Sequence, residues 1–294
     1  MKIWIAGAKG MLGSHFTRLL QLRGIEFIGT DLAHIDHILD ITRLEDVLAF
    51  VAQNKITHII NCAAYTQVDK AESERILSHL VNALGPKNLA IASKKLNVQV
   101  VHFSTDYIFD GLGKIPYEEN HPCNPVNYYG YSKWEGEQQL LKHSEKYCII
   151  RTSWLYGFPG KNFVETMLRL MQEKEILRIV SDQIGCPTYC QDLVEATLLL
   201  LNHQGIYNFA NSQETSWYDF AKEIHRQGLA LGFPLTVKEI LPITTKEYPT
   251  PAKRPAYSTL STKKIQQELG INPRNWKIAL ADYMNLYQQS LQKV

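Results

Sequence analysis

Two side chains that could carry acid–base chemistry lie four positions apart, at Tyr129 and Lys133. If this segment is helical, both side chains project from the same face of the helix, one turn apart. An ammonium group beside a phenol stabilises the tyrosinate and lowers the pKa of the tyrosine. Such a phenol can donate a proton to a carbonyl that is being reduced, or remove one from an alcohol that is being oxidised.

This spacing is not unique, because Tyr218 and Lys222 repeat it, and roughly one such pair is expected by chance. The context of the first pair separates the two. It follows an apolar, strand-like run that ends near Thr105, whose hydroxyl could bond both the phenol and a substrate oxygen. Tyr218 instead lies in an aromatic segment and is predicted to pack in a core. The sequence therefore favours Tyr129, Lys133 and Thr105 as the catalytic residues.

A turn that contains Gly7, Gly10 and Gly13 lies between the first strand-like run and the first helical pattern. A dinucleotide pyrophosphate binds backbone N–H groups at a helix N-terminus, where side chains would obstruct it. Gly7 can make the tight turn, Gly10 can let the phosphate approach, and Gly13 can let helix and strand pack closely. The turn therefore predicts a nicotinamide dinucleotide site.

The adenosine end of that site is expected at Asp31, which ends the second strand-like run. A carboxylate there accepts hydrogen bonds from the ribose hydroxyls and repels a 2′-phosphate, which favours NADH. Lys9 could instead attract that phosphate, and Asp31 could be only a capping or turn carboxylate. We therefore expect NADH or NADPH as the cofactor, with NADH favoured.

Apolar strand-like runs alternate with helical patterns through the first half of the chain. The predicted strands cover residues 2–6, 26–30, 58–61, 98–103 and 147–151, and the predicted helices cover 11–22, 42–54, 68–96 and 128–143. Thr42 and Glu45 are spaced to form a capping box at the second helix. The alternation is typical of a parallel sheet buried on both faces, with ligands at the carboxyl ends of its strands. It predicts an α/β fold with a Rossmann-type doubly wound parallel sheet.

The alternation weakens after Trp154, and most of the 12 prolines lie in the second half. Helices are predicted near residues 161–173, 192–202, 216–231, 261–269 and 275–289. We therefore expect an NAD(P)-binding Rossmann domain over residues 1–153, with a return of the chain to it near 176–210. Residues 154–294 are expected to form mainly a smaller, mixed substrate-binding lobe over the ligand edge of the sheet.

The composition excludes several other classes of protein. The 294 residues include 31 basic and 29 acidic side chains, so the net charge of +2 gives no basic excess for nucleic acid or anionic membranes. No apolar run approaches the ~18 residues of a membrane-spanning helix. The five cysteines are scattered, which indicates reduced thiols and a cytoplasmic protein. Cys186 and Cys190 have no second pair to complete a zinc site, so no metal is expected.

Several further motifs extend the argument along the whole chain. Together with the glycine turn, Asp31 and the Tyr-x-x-x-Lys pair, the sequence resembles the extended short-chain dehydrogenases/reductases, and within them the dTDP-4-dehydrorhamnose reductase family. The motifs that carry this likeness are Asn61-Cys62-Ala63-Ala64, Ser104-Thr105-Asp106, Val68-Asp69-Lys70-Ala71-Glu72, Arg151-Thr152-Ser153-Trp154, Asp182-Gln183-x-Gly185-x-Pro187-Thr188 and Thr250-Pro251-Ala252-Lys253-Arg254-Pro255.

The resemblance implies an NAD(P)H-dependent enzyme that reduces the 4-keto group of dTDP-4-dehydro-L-rhamnose to give dTDP-L-rhamnose, and a possible homodimer. It implies that Tyr129 is the proton donor and that Lys133 binds the nicotinamide ribose. The other cofactor contacts that it implies are Gly10, Met11 and Leu12 at the pyrophosphate, Asp31 at the adenosine ribose, Asp40 and Ile41 beside the adenine, and Ala63, Ala64 and Tyr65 along the cofactor. The substrate contacts that it implies are Thr105, Asp106, Trp154 and Arg254.

Other interpretations stay open at this point. Arg254 would suit the substrate diphosphate, but could be only a surface salt bridge, and Trp154 could be a core residue. The chain could be another nucleotide-sugar 4-reductase or a 4-epimerase; a 4,6-dehydratase is disfavoured because it normally carries an acidic pair where Thr105 and Asp106 stand. A non-catalytic regulatory subunit, like the β subunit of methionine adenosyltransferase, also resembles this family.

Overall fold

The computed structural model describes residues 1–33 and 35–291. The strands, numbered along the chain, are β1 (Ile3–Ala6), β2 (Phe27–Thr30), β3 (His58–Asn61), β4 (Gln99–Thr105), β5 (Tyr147–Thr152), β6 (Leu155–Tyr156), β7 (Ile176–Val180), β8 (Ile184–Gly185), β9 (Thr188–Tyr189), β10 (Gly205–Asn208), β11 (Thr215–Ser216) and β12 (Glu239–Ile243). The helices are α1 (Met11–Leu22), α2 (Leu44–Gln53), α3 (Arg75–His79), α4 (Gly85–Leu96), α5 (Tyr128–His143), α6 (Phe163–Glu173), α7 (Cys190–Leu200), α8 (Trp217–Ala230), α9 (Lys263–Leu269) and α10 (Trp276–Leu291). A π-helical turn (Leu80–Leu84) joins α3 to α4, and short 3-10 turns cover Lys70–Glu72, Asp106–Ile108 and Thr245–Glu247.

Strands β1 to β5 and β10 form one parallel sheet with the order β10-β5-β4-β3-β1-β2. The chain runs from β1 outward to β2, returns to β3 on the other side of β1, and then continues outward, so the sheet is doubly wound. The carboxyl ends of all its strands lie along one edge, because the strands are parallel. The predicted fold class is confirmed.

Two apolar layers enclose this sheet, because successive side chains of a strand point to opposite faces. Ile3 and Ile5 of β1 pack with α1 and α7, whereas Trp4 and Ala6 pack with α2 and α4. Burying each large aliphatic side chain stabilises the fold by roughly 1.5–3 kcal/mol. A one-residue slip of β1 would exchange the two sets of side chains, so this packing fixes the register that brings the strand ends into line.

A third apolar cluster lies in the second half of the chain. Helices α6, α8 and α10 pack there with the parallel pair of β7 and β12, around the buried rings of Tyr156, Phe220 and Tyr283. Strand β6, which follows β5 closely, pairs with β9 just before α7 begins. This pairing anchors the cluster beside the carboxyl end of β5.

The long helix predicted over residues 68–96 is wrong as a single element, because the structure divides it into a 3-10 turn, α3, the π-helical turn and α4. Pro86 has no N–H to donate to the carbonyl of Asn82, four residues earlier, so a regular α-helix cannot continue there. The Asn82 carbonyl instead lies against Gly136 of α5, where a Cβ would stand 2.1 Å from it. The helical prediction for residues 11–22 and 128–143 is confirmed.

The predicted capping box at α2 is also wrong. The N-cap residue of α2 is Arg43, and no side chain caps this end of the helix. The backbone N of Thr42 donates instead to Oδ1 of Asp40 at 2.9 Å. The helix thus begins one residue later than the Thr42–Glu45 spacing requires.

The described parts of the chain contain no membrane-spanning helix, no cluster of metal-ligating side chains and no disulfide. Within residues 1–33 and 35–291, no helix is both long and apolar enough to cross a membrane. In the same ranges, His, Cys, Asp and Glu side chains form no group of three that could hold a metal ion. The five cysteines are free thiols.

Candidate active site

The glycine turn joins β1 to α1, and close packing requires both of its outer glycines. Gly7 has a φ of +77°, and a Cβ there would stand 2.7 Å from the backbone N of Ala63. A Cβ at Gly13 would stand 2.1 Å from the carbonyl O of Gly7. Gly10 is the N-cap residue of α1 and has no side chain to cap it, so the first N–H groups of the helix stay open to an anion. The turn fits a dinucleotide pyrophosphate.

Met11 and Leu12 form the first residues of α1. Leu12 is buried in the core, and Met11 is half-buried, with its side chain close to Gly160. Both side chains are therefore committed to packing. What these two residues can offer a pyrophosphate is their backbone N–H groups.

Asp31 lies directly after β2, beside the glycine turn. Its Oδ2 accepts a hydrogen bond from the backbone N of Lys9 at 2.9 Å, and its Oδ1 accepts one from the backbone N of Leu32 at 2.8 Å. The carboxylate thus braces the turn, and each oxygen keeps a second lone pair that a ribose hydroxyl could use. A cavity of about 530 Å³ lies beside the turn, and its lining includes Lys9, Arg18 and His37.

The structure gives Asp40 and Ile41 different surroundings. Asp40 is half-buried and accepts the Thr42 hydrogen bond described above. Ile41 is 4% exposed, and its carbonyl accepts a hydrogen bond from Nδ2 of Asn88 at 3.0 Å. Its side chain packs against Gly85 and belongs to the apolar core.

The loop after β3 carries Ala63, Ala64 and Tyr65. Oδ1 of Asn61 accepts a hydrogen bond from the backbone N of Ala63 at 3.2 Å. The side chain of Asn82 bonds both backbone groups of Tyr65, since its Oδ1 accepts from the N at 2.9 Å and its Nδ2 donates to the O at 3.0 Å. Two buried amides therefore hold this loop against the glycine turn.

Tyr129 lies in the first turn of α5, which Asn127 caps by accepting a hydrogen bond from the backbone N of Gly130 at 2.8 Å. Thr105, the last residue of β4, forms a hydrogen bond with the Tyr129 phenol. Burial raises the pKa of Tyr129 to about 12, and the bond with Thr105 opposes this shift only in part. The direction is opposite to the one predicted from the ammonium of Lys133, because removal of the phenol from water dominates.

Lys133, one turn further along α5, is 3% exposed. Its Nζ donates to the carbonyl O of Phe103 at 2.6 Å and lies 3.5 Å from Nε2 of His102. Burial lowers the pKa of Lys133 to about 8, although Glu137 and Cys62 act in the opposite direction. The amine is thus tied to the carboxyl end of β4.

Asp106 follows Thr105 and is buried. Its Oδ1 accepts a hydrogen bond from Oγ1 of Thr105 at 3.1 Å, whereas its Oδ2 is buried without a hydrogen-bond partner among the described residues. Burial raises the pKa of Asp106 to about 7, against the effect of contacts with Ser258 and Thr105. A buried polar atom without a partner is costly, so it marks a position where a ligand hydroxyl would be stabilised.

Trp154 follows β5 and has a φ of +46°, which is uncommon for a residue other than glycine. Its ring stacks on that of Trp217, with 3.5 Å between the centroids and 8° between the planes. Gly185 lies against the same ring, since a Cβ there would stand 2.7 Å from its Cε2. These contacts leave the edge of the Trp154 ring, rather than its stacked face, for a ligand.

Arg254 forms a bidentate ion pair with Asp69. Its Nη2 donates to Oδ2 of Asp69 at 2.8 Å, and its Nη1 contacts Oδ1 and donates to the carbonyl O of Ala252 at 2.6 Å. The guanidinium lowers the pKa of Asp69 below its usual value. Arg254 also bonds Tyr107, whose ring meets that of Tyr129 edge-on with 5.9 Å between centroids. The salt bridge is therefore real, but it lies next to the candidate proton donor rather than on a remote surface.

Sequence reasoning missed a set of buried polar residues behind the site. Oγ of Ser132 donates to the carbonyl O of Tyr129 at 2.8 Å and accepts from Nδ2 of Asn82 at 3.0 Å. The same Asn82 side chain bonds the Tyr65 loop, so it links the loop after β3 to α5, which carries Tyr129 and Lys133. A single asparagine inside an otherwise apolar helical run was the available signal. The buried polar residues to which the sequence assigned no role are Asn61, Asn82, His102 and Ser132. The half-buried Trp217 of α8, which stacks on Trp154, was also missed.

Comparisons with known proteins agree with this geometry. A family model described as the RmlD substrate binding domain matches residues 1–289. A dTDP-4-dehydrorhamnose reductase from Aggregatibacter actinomycetemcomitans is 42% identical over 288 residues, which cover 95% of this chain and 97% of that protein. The chain belongs to the dTDP-4-dehydrorhamnose reductase family.

Two solved structures of this family are similar to the chain. A dTDP-4-dehydrorhamnose reductase from Clostridium acetobutylicum is 41% identical, with a TM-score of 0.92, over 98% of this chain and 100% of that one. A dTDP-4-dehydrorhamnose reductase from Bacillus anthracis, solved in complex with NADP, is 37% identical, with a TM-score of 0.90, over 96% of this chain and 98% of that one. The predicted family and the predicted enzymatic, oxidoreductase character of the chain are confirmed.

Proposed function

We propose that the chain reduces the 4-keto group of dTDP-4-dehydro-L-rhamnose to give dTDP-L-rhamnose, with NADH or NADPH as reductant. One observation carries the proposal: the Tyr129 phenol, the Thr105 hydroxyl and the Lys133 amine meet at the carboxyl end of β4. This end lies two strands away from the glycine turn that follows β1. A proton donor and a pyrophosphate-binding turn on one sheet edge are what a nicotinamide-dependent reduction requires.

Each residue of the site would have its own role in the reduction. When bound, the reduced nicotinamide supplies the hydride. Tyr129 donates its phenolic proton to the keto oxygen as negative charge develops there, and the adjacent Thr105 hydroxyl keeps the phenol in position. The charged form of Lys133 stabilises the tyrosinate that remains and binds the nicotinamide ribose. The partner-free Oδ2 of Asp106 is placed to bond a sugar hydroxyl.

The substrate would lie between the two halves of the chain. Residues 1–153, with the return near 176–210, would bind the cofactor, and the lobe formed mainly by 154–294 would bind the sugar nucleotide. Arg254 supports this arrangement, because a guanidinium beside the catalytic phenol suits a diphosphate. The edge of the Trp154 ring adds a further contact. The names of the relatives support a dTDP sugar rather than another nucleotide sugar.

For the cofactor, we propose that both nicotinamide dinucleotides are accepted. Asp31 can accept hydrogen bonds from the ribose of NADH, while its two backbone hydrogen bonds hold it to the turn. Lys9 and Arg18 bring two positive charges to the neighbouring cavity, where a 2′-phosphate would be attracted. The NADP complex of the Bacillus anthracis relative supports the second option.

Turnover assays of the purified chain test the proposal. With dTDP-4-dehydro-L-rhamnose, we expect stoichiometric oxidation of NADH or NADPH and formation of dTDP-L-rhamnose, identified by mass and NMR. Other 4-keto nucleotide sugars serve as specificity controls. A substrate that is isomerised without net oxidation of the cofactor would instead indicate a 4-epimerase. A chain that consumes no reductant with any of these sugars would refute the reductase assignment.

A further inference from the structure

Three buried polar side chains form a row behind the candidate proton donor, across β3, β4 and α5. Asn61 and His102 are each 1% exposed, and Lys133 is 3% exposed. Nδ2 of Asn61 lies 3.0 Å from Nδ1 of His102, and Nε2 of His102 lies 3.5 Å from Nζ of Lys133. In a buried row of this kind, no water can supply a missing partner, so the donor or acceptor role of each group fixes the role of the next.

The first member of the row fixes the imidazole tautomer. The backbone N of Ala63 must donate, and it donates to Oδ1 of Asn61, so the Asn61 amide nitrogen faces His102. An amide nitrogen can only donate, so Nδ1 of His102 accepts. Burial alone lowers the pKa of His102 well below its usual value, and any positive charge on Lys133 acts in the same direction, so the ring is neutral. A neutral ring that accepts at Nδ1 carries its proton on Nε2.

This tautomer of His102 affects the protonation of Lys133. Its Nζ already donates to the carbonyl O of Phe103, and it also faces the Nε2–H donor of His102. An ammonium has no lone pair to accept that donor, whereas a neutral amine has one. The other titratable groups that act on Lys133 are Glu137 on α5, which is paired with Arg151 of β5, and Cys62 after β3.

We propose that His102 is a positioning residue that directs its Nε2–H at the Lys133 amine and disfavours the ammonium form, with Asn61 fixing the tautomer. Lys133 can then lose its proton near neutral pH, instead of remaining an ammonium through the whole physiological range. The effect of this contact on turnover rests on the proposed function, whereas the tautomer of His102 and the ionisation of Lys133 do not depend on it. The row is not a proton relay, because the Asn61 amide cannot pass a proton on.

The tautomer can be observed directly. In proton–nitrogen correlation NMR of the histidine side chains, without added nucleotide, the His102 ring should show a protonated Nε2 and an unprotonated Nδ1. The variant Asn61→Asp offers an acceptor in place of the amide nitrogen and should move the proton to Nδ1. A wild-type ring protonated at Nδ1, or at both nitrogens, at neutral pH would overturn the proposal even if the variant does not fold.

The pH dependence of NADPH binding tests the effect on Lys133. The variant His102→Asn keeps an acceptor near Asn61 and removes the Nε2–H, so the loss of affinity at high pH should move upward by roughly one pH unit. His58→Asn, on the neighbouring strand, is the matched control, because His58 bonds Asn202 and not Lys133. A weaker affinity at every pH with an unmoved midpoint would show a merely structural role.

These readouts separate the two proposals. If NADPH binds as expected but no keto sugar is reduced, the proposed function fails and the assignment of His102 stands. If the keto sugar is reduced while the midpoint of His102→Asn equals that of wild type, the assignment of His102 fails and the proposed function stands.

Discussion

The chain contains the same Tyr-x-x-x-Lys spacing twice, and the two copies differ in their surroundings. In α5, Lys133 is buried and its Nζ donates to Phe103, while Tyr129 bonds Thr105. In α8, the Lys222 side chain is exposed and its Nζ lies 5.0 Å from the centroid of the Tyr218 ring. The first pair reaches a strand end, whereas the second pair forms a cation–π contact on its own helix.

The elements around each helix explain this difference. Helix α5 packs along β4 and the π-helical turn, so its inner face meets strand ends and buried amides. Helix α8 packs in the apolar cluster with α6 and α10. Its contribution near the sheet edge is Trp217, which stacks on Trp154. In the described chain, only beside α5 does the sheet supply a hydroxyl and a carbonyl next to such a pair, which is why the proposed catalytic role falls to Tyr129 and Lys133.

The largest expected effect separates the two tyrosines. Tyr129→Phe removes the proposed proton donor and should lower turnover by ~10²–10⁴-fold, while NADPH binding stays nearly unchanged. The matched variant Tyr218→Phe should leave turnover within about twofold, because that hydroxyl contributes nothing to proton transfer. Steady-state kinetics and nucleotide titration of both variants measure this. Near-normal turnover in Tyr129→Phe would refute the mechanism.

The next effect concerns the ion pair that each helix carries. Glu137 of α5 is fully buried against Arg151, whereas Glu223 of α8 pairs with Arg226, whose side chain is 67% exposed. Arg151→Met leaves a buried carboxylate unpaired and should lower the free energy of unfolding by about 3–5 kcal/mol. Arg226→Met should leave it nearly unchanged, because water already solvates the guanidinium of that pair. Urea denaturation of the two variants measures the contrast, and equal losses would contradict it.

The parts of this contrast that sequence could predict are those with a local signal. The strands of the sheet are buried on both faces, so each appears as an apolar run, and helix α5 begins and ends where its pattern does. The glycine turn could also be predicted, because Gly7 and Gly13 stand where any Cβ would clash.

The remaining features depend on contacts between distant segments. The pKa of Tyr129 rises because its helix is buried against β4, and no spacing along the chain reports burial. The Arg254–Asp69 pair joins segments 185 positions apart, and the Trp154–Trp217 stack joins the end of β5 to α8. The π-helical turn arises where Pro86 and the Asn82 side chain act together. Such features are set by tertiary packing, which a single sequence does not display.

The buried carboxyl group of Asp106 lies beside Tyr129 and Lys133 of α5, so the stability of this region should depend on pH. Its pKa rises from 3.8 to about 7 on folding, so the folded state binds the extra proton between these values. The contribution of Asp106 to the free energy of unfolding is therefore highest below pH ~4, where Asp106 is protonated in both states. It falls by up to about 4 kcal/mol as the pH rises towards ~7. Asp106→Asn should accordingly gain stability relative to wild type over this range. Thermal unfolding at several pH values measures the gap, and a gap that is constant with pH would contradict the shift.

The smallest expected effect distinguishes two threonines that are paired in register at the ends of β4 and β5. Thr105 bonds the Tyr129 phenol, whereas Oγ1 of Thr152 is buried without a hydrogen-bond partner in the described chain. Thr105→Val keeps the shape of the side chain and removes the hydroxyl that contacts Tyr129, Asp106 and the backbone N of Tyr107. Turnover should therefore fall about tenfold, or ~1.4 kcal/mol in activation free energy. Thr152→Val removes an unsatisfied hydroxyl, so turnover should hold and stability should hold or rise. If both variants lose activity equally, the shape of the strand ends, and not the bond to Tyr129, sets the rate.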